Sequence, residues 1–407
     1  MKTSQRLLSV DALRGFSLAG IVIVHMVENF IGGPPPAEAM AAVNQGWPDS
    51  VVDGFIFLFL RGKFFALFSF LFGLSFFIQM EKGAQKGSGF EGRFLWRLIL
   101  LLLIGIVHHM FYRGDILTIY ALLGIVLIPF YRVPTKLIMA FTALLFFGLG
   151  RYIIFAAFGS GSLFSDIELT PTSPAVIAYF EVLKSGNLAE VMLSNTTEGH
   201  MMKLDFQLGV FGRGYLTLGF FLMGLLAGRL RVFEKLRENR LKLRNALLWS
   251  LALFLISMVG MGLLFSAASQ NGQNTDMNSW LSMFALTAYD LSNIFMTLIL
   301  ICGFLLIYLK IKGERFLVKF APYGRMALSN YFLQTIIGTG LLYGWGMGYL
   351  AELRNIYTFG IAIVIIIAQM LFSKWWLNRF QYGPLEWLWR SLTYMKRFPF
   401  SRPKIKD

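Results

Sequence analysis

The stretch LRGFSLAGIVIVH, residues 13–25, decides the fold, because an arginine opens it, a histidine closes it and apolar residues fill the space between. Similar apolar runs of about 20 residues recur along the chain, long enough to cross a bilayer as helices. The 407 residues are 56% hydrophobic and only 14% charged, whereas soluble domains carry about 25% charged residues. The sequence therefore predicts an all-α, polytopic integral membrane helix bundle.

We predict about ten transmembrane helices from these runs. Their expected bounds are 12–30, 52–79, 95–111, 115–131, 136–157, 207–229, 246–267, 281–309, 326–350 and 357–377.

The net charge of +15 follows from this topology. Most Lys and Arg residues, among them Lys2, Arg6 and Lys86, fall in alternate connections, and the positive-inside rule places such connections and both termini in the cytoplasm. Basic loops at a cytoplasmic surface attract anionic lipid. Membrane lipids are therefore the expected partners, and no nucleic acid partner is predicted.

The chain is predicted to form a single membrane domain, 1–407, with two segments outside the spans. Residues 158–206 form an extracytoplasmic loop that would act either as a lid or as a solvated connector. Residues 380–395 are too polar to span, and their Trp and Tyr side chains beside Arg390 favour an interfacial helix on the cytoplasmic surface.

Ionisable residues inside spans are costly and are the default functional candidates. Arg14 and His25 are eleven residues apart, close to three helical turns, so they share one face at about 16 Å separation. Arg97 and His108 repeat this spacing in the third span. We therefore expect the two histidines at similar depth, with Asp290 of the eighth span at about the same level.

Other polar side chains within or beside the spans suit a water-containing cavity that binds substrate: Lys63, Asp115, Arg213, Asn330 and Gln334.

Several of these residues also have purely structural interpretations. Arg14 could anchor the topology, and His25 could be a neutral histidine hydrogen-bonded between helices. Lys63 and Arg61 could snorkel or pair with Asp53. Asp115 could pair with Arg113 or cap the fourth span. The four histidines are scattered and the chain has one cysteine, so neither a metal site nor a disulfide is expected.

Five motifs resemble the YeiB family of bacterial membrane proteins, which carries domain of unknown function 418. They are SVDALRGFSLAGIVIVH (9–25), KFFALFSFLFGLSF (63–76), LLLIGIVHHMFYRGDILTIYALLG (101–124), GRMALSNYFLQT (324–335) and YGPLEWLWRSLTY (382–394). The last two motifs make 207–395 the family-defining half. The family is grouped with transmembrane acyltransferases, which include envelope O-acyltransferases and the lysosomal heparan N-acetyltransferase.

The resemblance implies roles for the matched residues. The O-acyltransferase branch uses an arginine and a histidine separated by ten residues on its first span, as Arg14 and His25 are here. Arg14, with Arg97, would hold an acyl-CoA donor, and His25 would be the general base. YeiB-like proteins commonly have asparagine at the position of His25, which makes His108 the alternative base. Asp290 would orient the base or bind the acceptor.

The leading hypothesis is therefore a plasma-membrane acyltransferase that passes an acyl group from cytoplasmic acyl-CoA to an envelope glycan, lipid or small molecule. The alternative is a transporter or permease that uses the same polar cavity as a proton relay. A third interpretation is a non-catalytic membrane subunit whose basic loops bind a partner. Homo-oligomerisation is left open by the sequence.

Overall fold

A computed structural model describes residues 7–85, 90–164, 169–269 and 276–402. Lys2, Arg6 and Lys86 of the predicted basic connections lie outside these described residues. Within them the regular structure is helical and no strand forms, apart from one isolated antiparallel bridge between Phe380 and Ser401. The predicted all-α fold is confirmed.

The N-terminal half is built from helices whose lengths follow the apolar runs, with a π-helical turn at Ile56–Leu60 after the third. They are α1 (Leu8–Val27), α2 (Ala37–Val43), α3 (Trp47–Phe55), α4 (Phe64–Ala84), α5 (Glu91–Phe111), α6 (Leu117–Phe130), α7 (Thr135–Phe146) and α8 (Leu149–Phe158).

The remaining helices alternate short segments with long apolar ones. They are α9 (Pro174–Ser185), α10 (Leu188–Thr196), α11 (Glu198–Leu208), α12 (Arg213–Arg229), α13 (Arg240–Ala268), α14 (Trp280–Tyr308), α15 (Ile311–Leu317), α16 (Ala321–Arg325), α17 (Ala327–Leu342), α18 (Asn355–Arg379) and α19 (Pro384–Tyr394).

Length and composition allow six helical segments of the described chain to cross a membrane, or up to eight if two bent pairs each count as one span. The bent pairs are α7 with α8, at 50°, and α10–α11 with α12, at 57°. Helices α6 and α17 have 14 and 16 residues, fewer than the ~20 that a hydrocarbon core requires. The membrane bundle is supported, whereas ten spans and cytoplasmic termini stay predictions.

Helix α1 lies at the centre of the bundle, and 72% of its apolar window is buried. Two glycines allow it to cross the segment before α17 at backbone distance. A Cβ on Gly15 would overlap the Phe320 carbonyl, and one on Gly324 would overlap the Asp11 carbonyl. Since α1 is surrounded by protein, its polar side chains point into the bundle rather than into lipid.

The second predicted span, 52–79, is interrupted. The chain leaves the π-helical turn and breaks at Arg61–Lys63, where Gly62 adopts a φ of +81°. Lys63 donates a hydrogen bond to the Phe57 carbonyl at 2.6 Å. A break inside an apolar segment frees backbone groups that need partners, and the Lys63 ammonium supplies one.

The segment 158–206 is largely helical and packs on the bundle. Helix α10 lies against α5, where the Asn195 amide donates to the Met110 carbonyl at 2.9 Å and its oxygen accepts from the Tyr179 hydroxyl at 2.6 Å. The described part of this segment is therefore packed against α5 rather than fully solvated. Its extracytoplasmic location and its role as a lid stay predictions.

Candidate functional site

A cavity of about 790 Å³ lies at the end of α1 that carries Arg14. We name it the arginine cavity, because five arginines line it: Arg14, Arg97, Arg231, Arg325 and Arg390. Carboxylates at its wall include Glu81 and Glu234, while its depth is lined by apolar side chains such as Phe72 and Leu101. The exposed residues Lys82 and Gln85 also line it, so it reaches the surface.

Arg14 and Arg97 enter this cavity from different helices, as the repeated spacing predicted. Arg14 donates to Ser75 Oγ at 2.9 Å and pairs with Asp11 at 3.0 Å. The Arg97 guanidinium lies 3.7 Å from the centroid of the Trp389 ring. The Arg14 guanidinium is therefore held by Ser75 and Asp11, and the Arg97 guanidinium is held by the Trp389 ring.

The C-terminal helix α19 forms one side of the arginine cavity and is hydrogen-bonded to the first residues of α17, a contact that we name the clasp. Glu386 accepts hydrogen bonds from the backbone N–H groups of Leu328 at 2.7 Å and Ser329 at 3.1 Å, which start α17. Burial raises the pKa of the Glu386 carboxyl, although the hydrogen bonds from Ser329 act in the opposite direction. The Trp389 indole also donates to the Arg97 carbonyl at 2.9 Å. Two of the predicted motifs, 324–335 and 382–394, thus meet physically.

A second cavity, of about 630 Å³, lies at the other end of α1. We name it the histidine cavity; His25, Asp115, Lys203, Arg213 and Asp290 are among its lining residues. The exposed residues Met40 and Asn44 also line it, so this cavity reaches the surface as well.

His25 is the histidine that faces this cavity. Its ring meets those of Phe30 and Tyr112 edge-on, with centroid distances of 5.2 and 5.1 Å. Its Nδ1 is buried and has no hydrogen-bond partner among the described residues. The interpretation of His25 as an interhelical hydrogen-bonding residue is therefore not supported at that atom.

His108 is sealed inside the bundle and lines neither of the two cavities. Its Nδ1 lies 2.8 Å from Asp115 Oδ1, and its Nε2 lies 2.8 Å from Thr335 Oγ1. Its ring stacks on Tyr331 at a centroid distance of 4.7 Å. Nε2 therefore has a hydrogen-bond partner, whereas Nδ1 lies at ion-pair distance from Asp115 without hydrogen-bond geometry. Enclosure by these two groups suits a positioning residue.

The two histidines lie close together, as their spacing predicted. Both rings pack against Tyr331, with centroid distances of 6.3 Å for His25 and 4.7 Å for His108. Both also contact Tyr112, at 5.1 and 6.5 Å. The two rings therefore share neighbours, although only His25 lines a cavity; their depth in a membrane stays a prediction.

Asp115 organises a buried polar network beside His108. Its carboxylate accepts from the backbone N–H of Leu117 at 3.1 Å and of Thr118 at 2.9 Å, so it caps α6. Lys203 of α11 approaches it to 3.5 Å and donates to Thr118 Oγ1 at 2.7 Å. Lys203 also lies 3.4 Å from His109. The capping interpretation is confirmed.

The alternative pairing of Asp115 with Arg113 is wrong. Arg113 instead donates to the Ile31 carbonyl at 2.9 Å and lies 4.0 Å from the centroid of the Tyr179 ring. Sequence reasoning missed Lys203, because its segment had no span-like pattern. A buried carboxylate in a helix bundle needs a partner. This requirement was the sequence signal that could have pointed to a cation such as Lys203.

Asp290 forms a buried ion pair with Arg151 of α8. Arg151 also donates to Thr287 Oγ1 at 2.8 Å and to the Val210 carbonyl at 2.6 Å. The pair lines the histidine cavity but lies on different helices from His25. Arg151 was not singled out from the sequence, although an arginine inside an apolar run is itself a signal.

The remaining predicted residues divide by position. Arg213 lines the histidine cavity, with its guanidinium 4.3 Å from the centroid of the Phe65 ring. Asn330 is buried and donates to Ser373 Oγ at 2.9 Å, and Gln334 is buried without a hydrogen-bond partner among the described residues. Asn330, Gln334 and Lys63 line neither cavity, so the geometry gives them no contact with a bound molecule.

The two cavities meet at a thin wall inside the bundle. Three residues line both of them: Ile21 of α1, Ile116 just before α6, and Tyr331 of α17. We name these residues the septum. Among the described residues, no group of three or more His, Cys, Asp or Glu side chains could hold a metal ion.

Two protein-family models match different parts of the chain. Residues 6–183 match the catalytic model of heparan-alpha-glucosaminide N-acetyltransferase. Residues 227–396 match the model described as a protein of unknown function, DUF418. The first range contains both Arg–His pairs, and the second contains Asp290 and the clasp between α17 and α19.

Bacterial proteins match nearly the whole chain. The YxaH protein of Bacillus subtilis is 28% identical over 416 residues, covering 98% of this chain and 97% of its own length. The YeiB protein of Escherichia coli is 28% identical over 406 residues, covering 96% of each. The 39.9 kDa protein of an amylase 3′ region in Bacillus acidopullulyticus is 26% identical over 415 residues, covering 99% and 98%.

The chain is YeiB-like. This similarity confirms the resemblance that its motifs predicted, and residues 6–183 are similar to an acyltransferase catalytic model. In the YeiB-like fold, the two matched regions do not form separate sites, because α1, α5 and α17 together enclose His25, His108 and Tyr331.

Proposed function

We propose that this protein is a membrane acyltransferase that takes an acyl group from acyl-CoA in the arginine cavity and transfers it to an acceptor in the histidine cavity. One observation carries the proposal: the two cavities lie toward opposite ends of α1 and share the three lining residues of the septum, Ile21, Ile116 and Tyr331. A donor and an acceptor that enter from opposite ends would meet there.

The arginine cavity suits a CoA thioester. Guanidinium groups match phosphate oxygens in bidentate geometry, and Arg14 and Arg97 are held near the mouth by Ser75 and Trp389. The apolar depth, which includes Phe72 and Leu101, would accept the uncharged arm that carries the thioester. The arm would then deliver its carbonyl carbon to the septum.

His25 is the better candidate for the general base. It lines the histidine cavity, where an acceptor hydroxyl or amine would lie, whereas His108 lines neither cavity. His25 would take the proton from the acceptor as its oxygen or nitrogen attacks the thioester carbonyl carbon. The carbon–sulfur bond then breaks, and the CoA thiolate leaves and receives the proton. His108 and Asp115 would position Tyr331 and the α5–α6 turn around this point.

The acceptor class and location follow from the predicted topology. If the basic connections face the cytoplasm, the arginine cavity opens toward cytoplasmic acyl-CoA and the histidine cavity toward the cell envelope. The acceptor would then be an envelope glycan, a lipid or a small molecule, and the protein would reside in the plasma membrane. Six to eight membrane-capable helical segments support the membrane location.

The test is acyl-CoA binding and CoA release with the full-length protein purified in detergent. We expect Arg14→Ala to weaken acyl-CoA binding, and His25→Ala to keep binding but lose CoA release. Arg132→Ala is the matched control, because Arg132 is exposed and pairs with Glu91 outside the cavity lining. Absence of acyl-CoA binding by the unmodified protein would refute the proposal.

A permease is the second candidate, favoured by the two bent helix pairs. Broken helices at a central polar site are common in secondary transporters. Uptake of labelled substrate into proteoliposomes, with acyl-CoA absent, would favour the permease over the enzyme.

A further inference from the structure

The wall of the histidine cavity carries an imbalance of charge. Most of its charged groups are satisfied within the protein. Arg61 pairs with Glu28 at 2.6 Å and with Asp53 at 3.1 Å. Arg151 pairs with Asp290, and Lys203 lies 3.5 Å from Asp115. These three cations therefore use all four carboxylates named here.

Two arginines of this wall have no carboxylate of their own, and they differ from each other. Arg113 is fully buried and held inside the protein, since it donates to the Ile31 carbonyl and to Met202 Sδ and lies against the Tyr179 ring. Arg213 is half-buried, and its guanidinium has no hydrogen-bond or ion-pair partner among the described residues. Arg113 is thus a structural group, whereas Arg213 has free donors.

Arg213 is held so that its donors remain available. Its guanidinium lies 4.3 Å from the centroid of the Phe65 ring and 5.7 Å from that of Phe206. An aromatic face holds a guanidinium by its flat surface and leaves the N–H groups at its edge free. These N–H groups match two oxygens of a carboxylate or a phosphate.

Among the described residues, the carboxylate on which Arg213 acts electrostatically is Asp290, which is already paired with Arg151. Arg213 also acts on Lys63, a like charge. A cation at membrane depth normally faces a partner or a cavity. Here Arg213 faces the cavity that contains His25.

We infer that the acceptor bound in the histidine cavity carries an anionic group, a phosphate or a carboxylate, which Arg213 binds while the group to be acylated faces His25. This inference rests on the proposed function in treating the bound molecule as an acyl acceptor. The anion site itself does not depend on acyl transfer. The aromatic lining of Phe65, Phe206 and Tyr289 would cover an apolar or ring-shaped part of the same molecule.

The experiment measures thermal protection of the full-length protein in a nonionic detergent, without any acyl-CoA. Glucuronate and glucose are one matched pair of probes, since they differ by a carboxylate. Dihexanoyl phosphatidylglycerol and inorganic phosphate are the second pair, which separates a lipid headgroup from free phosphate. We expect at least one anionic probe to bind about tenfold or more tightly than glucose.

The variants locate the site. Arg213→Gln is expected to weaken the anionic probe about tenfold or more, and Arg213→Lys to weaken it less. Arg132→Gln, which lies outside both cavities, should match the unmodified protein. Arg14→Ala should leave this binding intact, because Arg14 belongs to the other cavity. Unchanged acyl-CoA binding by Arg213→Gln would show that the variant is folded.

Three results would overturn the inference. Equal binding of glucose and every anionic probe would remove the charge requirement. Anion affinity that is unchanged in Arg213→Gln would exclude Arg213 as the binding group; if the glutamine variant does not fold, an unchanged affinity in Arg213→Lys would do the same. Anion binding that is lost only in Arg14→Ala would move the site to the arginine cavity. If acyl-CoA fails to bind while Arg213-dependent anion binding persists, the acyltransferase proposal fails and the anion site stands.

Discussion

Helices α1 and α5 carry the same pattern, an arginine followed eleven residues later by a histidine, yet the two histidines have different surroundings. Arg14 and Arg97 both line the arginine cavity. His25 faces the histidine cavity with an unpartnered Nδ1, whereas His108 is enclosed between Asp115 and Thr335. Spacing along a helix therefore determines depth in the bundle, and the neighbouring elements determine access.

The difference arises from what covers each ring. His108 lies under the α5–α6 turn, where Asp115 caps α6, and beside Thr335 of α17. His25 lies near the end of α1, where the break at Arg61–Lys63 and the glycine-containing segment after α1 leave open space. The same residue type is thus accessible in one helix and structural in the other.

Replacing His25 should produce the largest effect on activity. If His25 is the base, His25→Ala lowers the rate of acyl transfer by about 10²–10⁴-fold, while acyl-CoA binding is retained. The steady-state kcat of acyl transfer, with the dissociation constant of acyl-CoA measured in parallel, checks this. Full activity in His25→Ala would show that His25 is not the general base, although it is the histidine that lines the cavity.

Replacing His108 should instead produce the larger effect on stability. His108→Ala removes the ion-pair neighbour of buried Asp115, removes a hydrogen bond of Thr335 and leaves space in the core, which costs about 2–4 kcal/mol. Thermal unfolding in detergent should show a clearly lower midpoint than for His25→Ala. Equal midpoints for the two variants would mean that the enclosure of His108 contributes little to the fold.

The two arginines should behave more alike than the two histidines. Arg14→Ala and Arg97→Ala are each expected to weaken acyl-CoA binding about tenfold, as loss of a charged hydrogen bond does. Isothermal titration of acyl-CoA in detergent measures this. An effect in only one variant would show that the donor uses one side of the arginine cavity.

The smallest expected effect concerns the support beneath Arg97. Trp389→Phe keeps an aromatic ring over the guanidinium but removes the indole hydrogen bond to the Arg97 carbonyl. We expect a loss of about 0.5–1.5 kcal/mol in unfolding free energy and little change in acyl-CoA affinity. A large loss of affinity would instead assign the clasp of α19 a direct part in donor binding.

Sequence periodicity was sufficient for the all-α fold and for the shared surroundings of Arg14 with Arg97 and of His25 with His108, because a regular helix converts spacing into position. It missed the break at Arg61–Lys63, although the polar and glycine residues Arg61, Gly62 and Lys63 interrupt the apolar run there. It also missed Lys203 and Arg151. Their importance depends on Asp115 and Asp290, which are brought to them from distant segments, and single-sequence patterns carry no such pairing.

The septum has a consequence for the energetics of the membrane as a whole. A charge that crosses a bilayer carrying a voltage gains about 2.3 kcal/mol per 100 mV, so a continuous water path through the bundle would leak ions and dissipate that voltage. The two isoleucines and the tyrosine of the septum line both the arginine cavity and the histidine cavity. In a membrane, these three side chains would serve as electrical insulation, because they would block a water path between the two cavities.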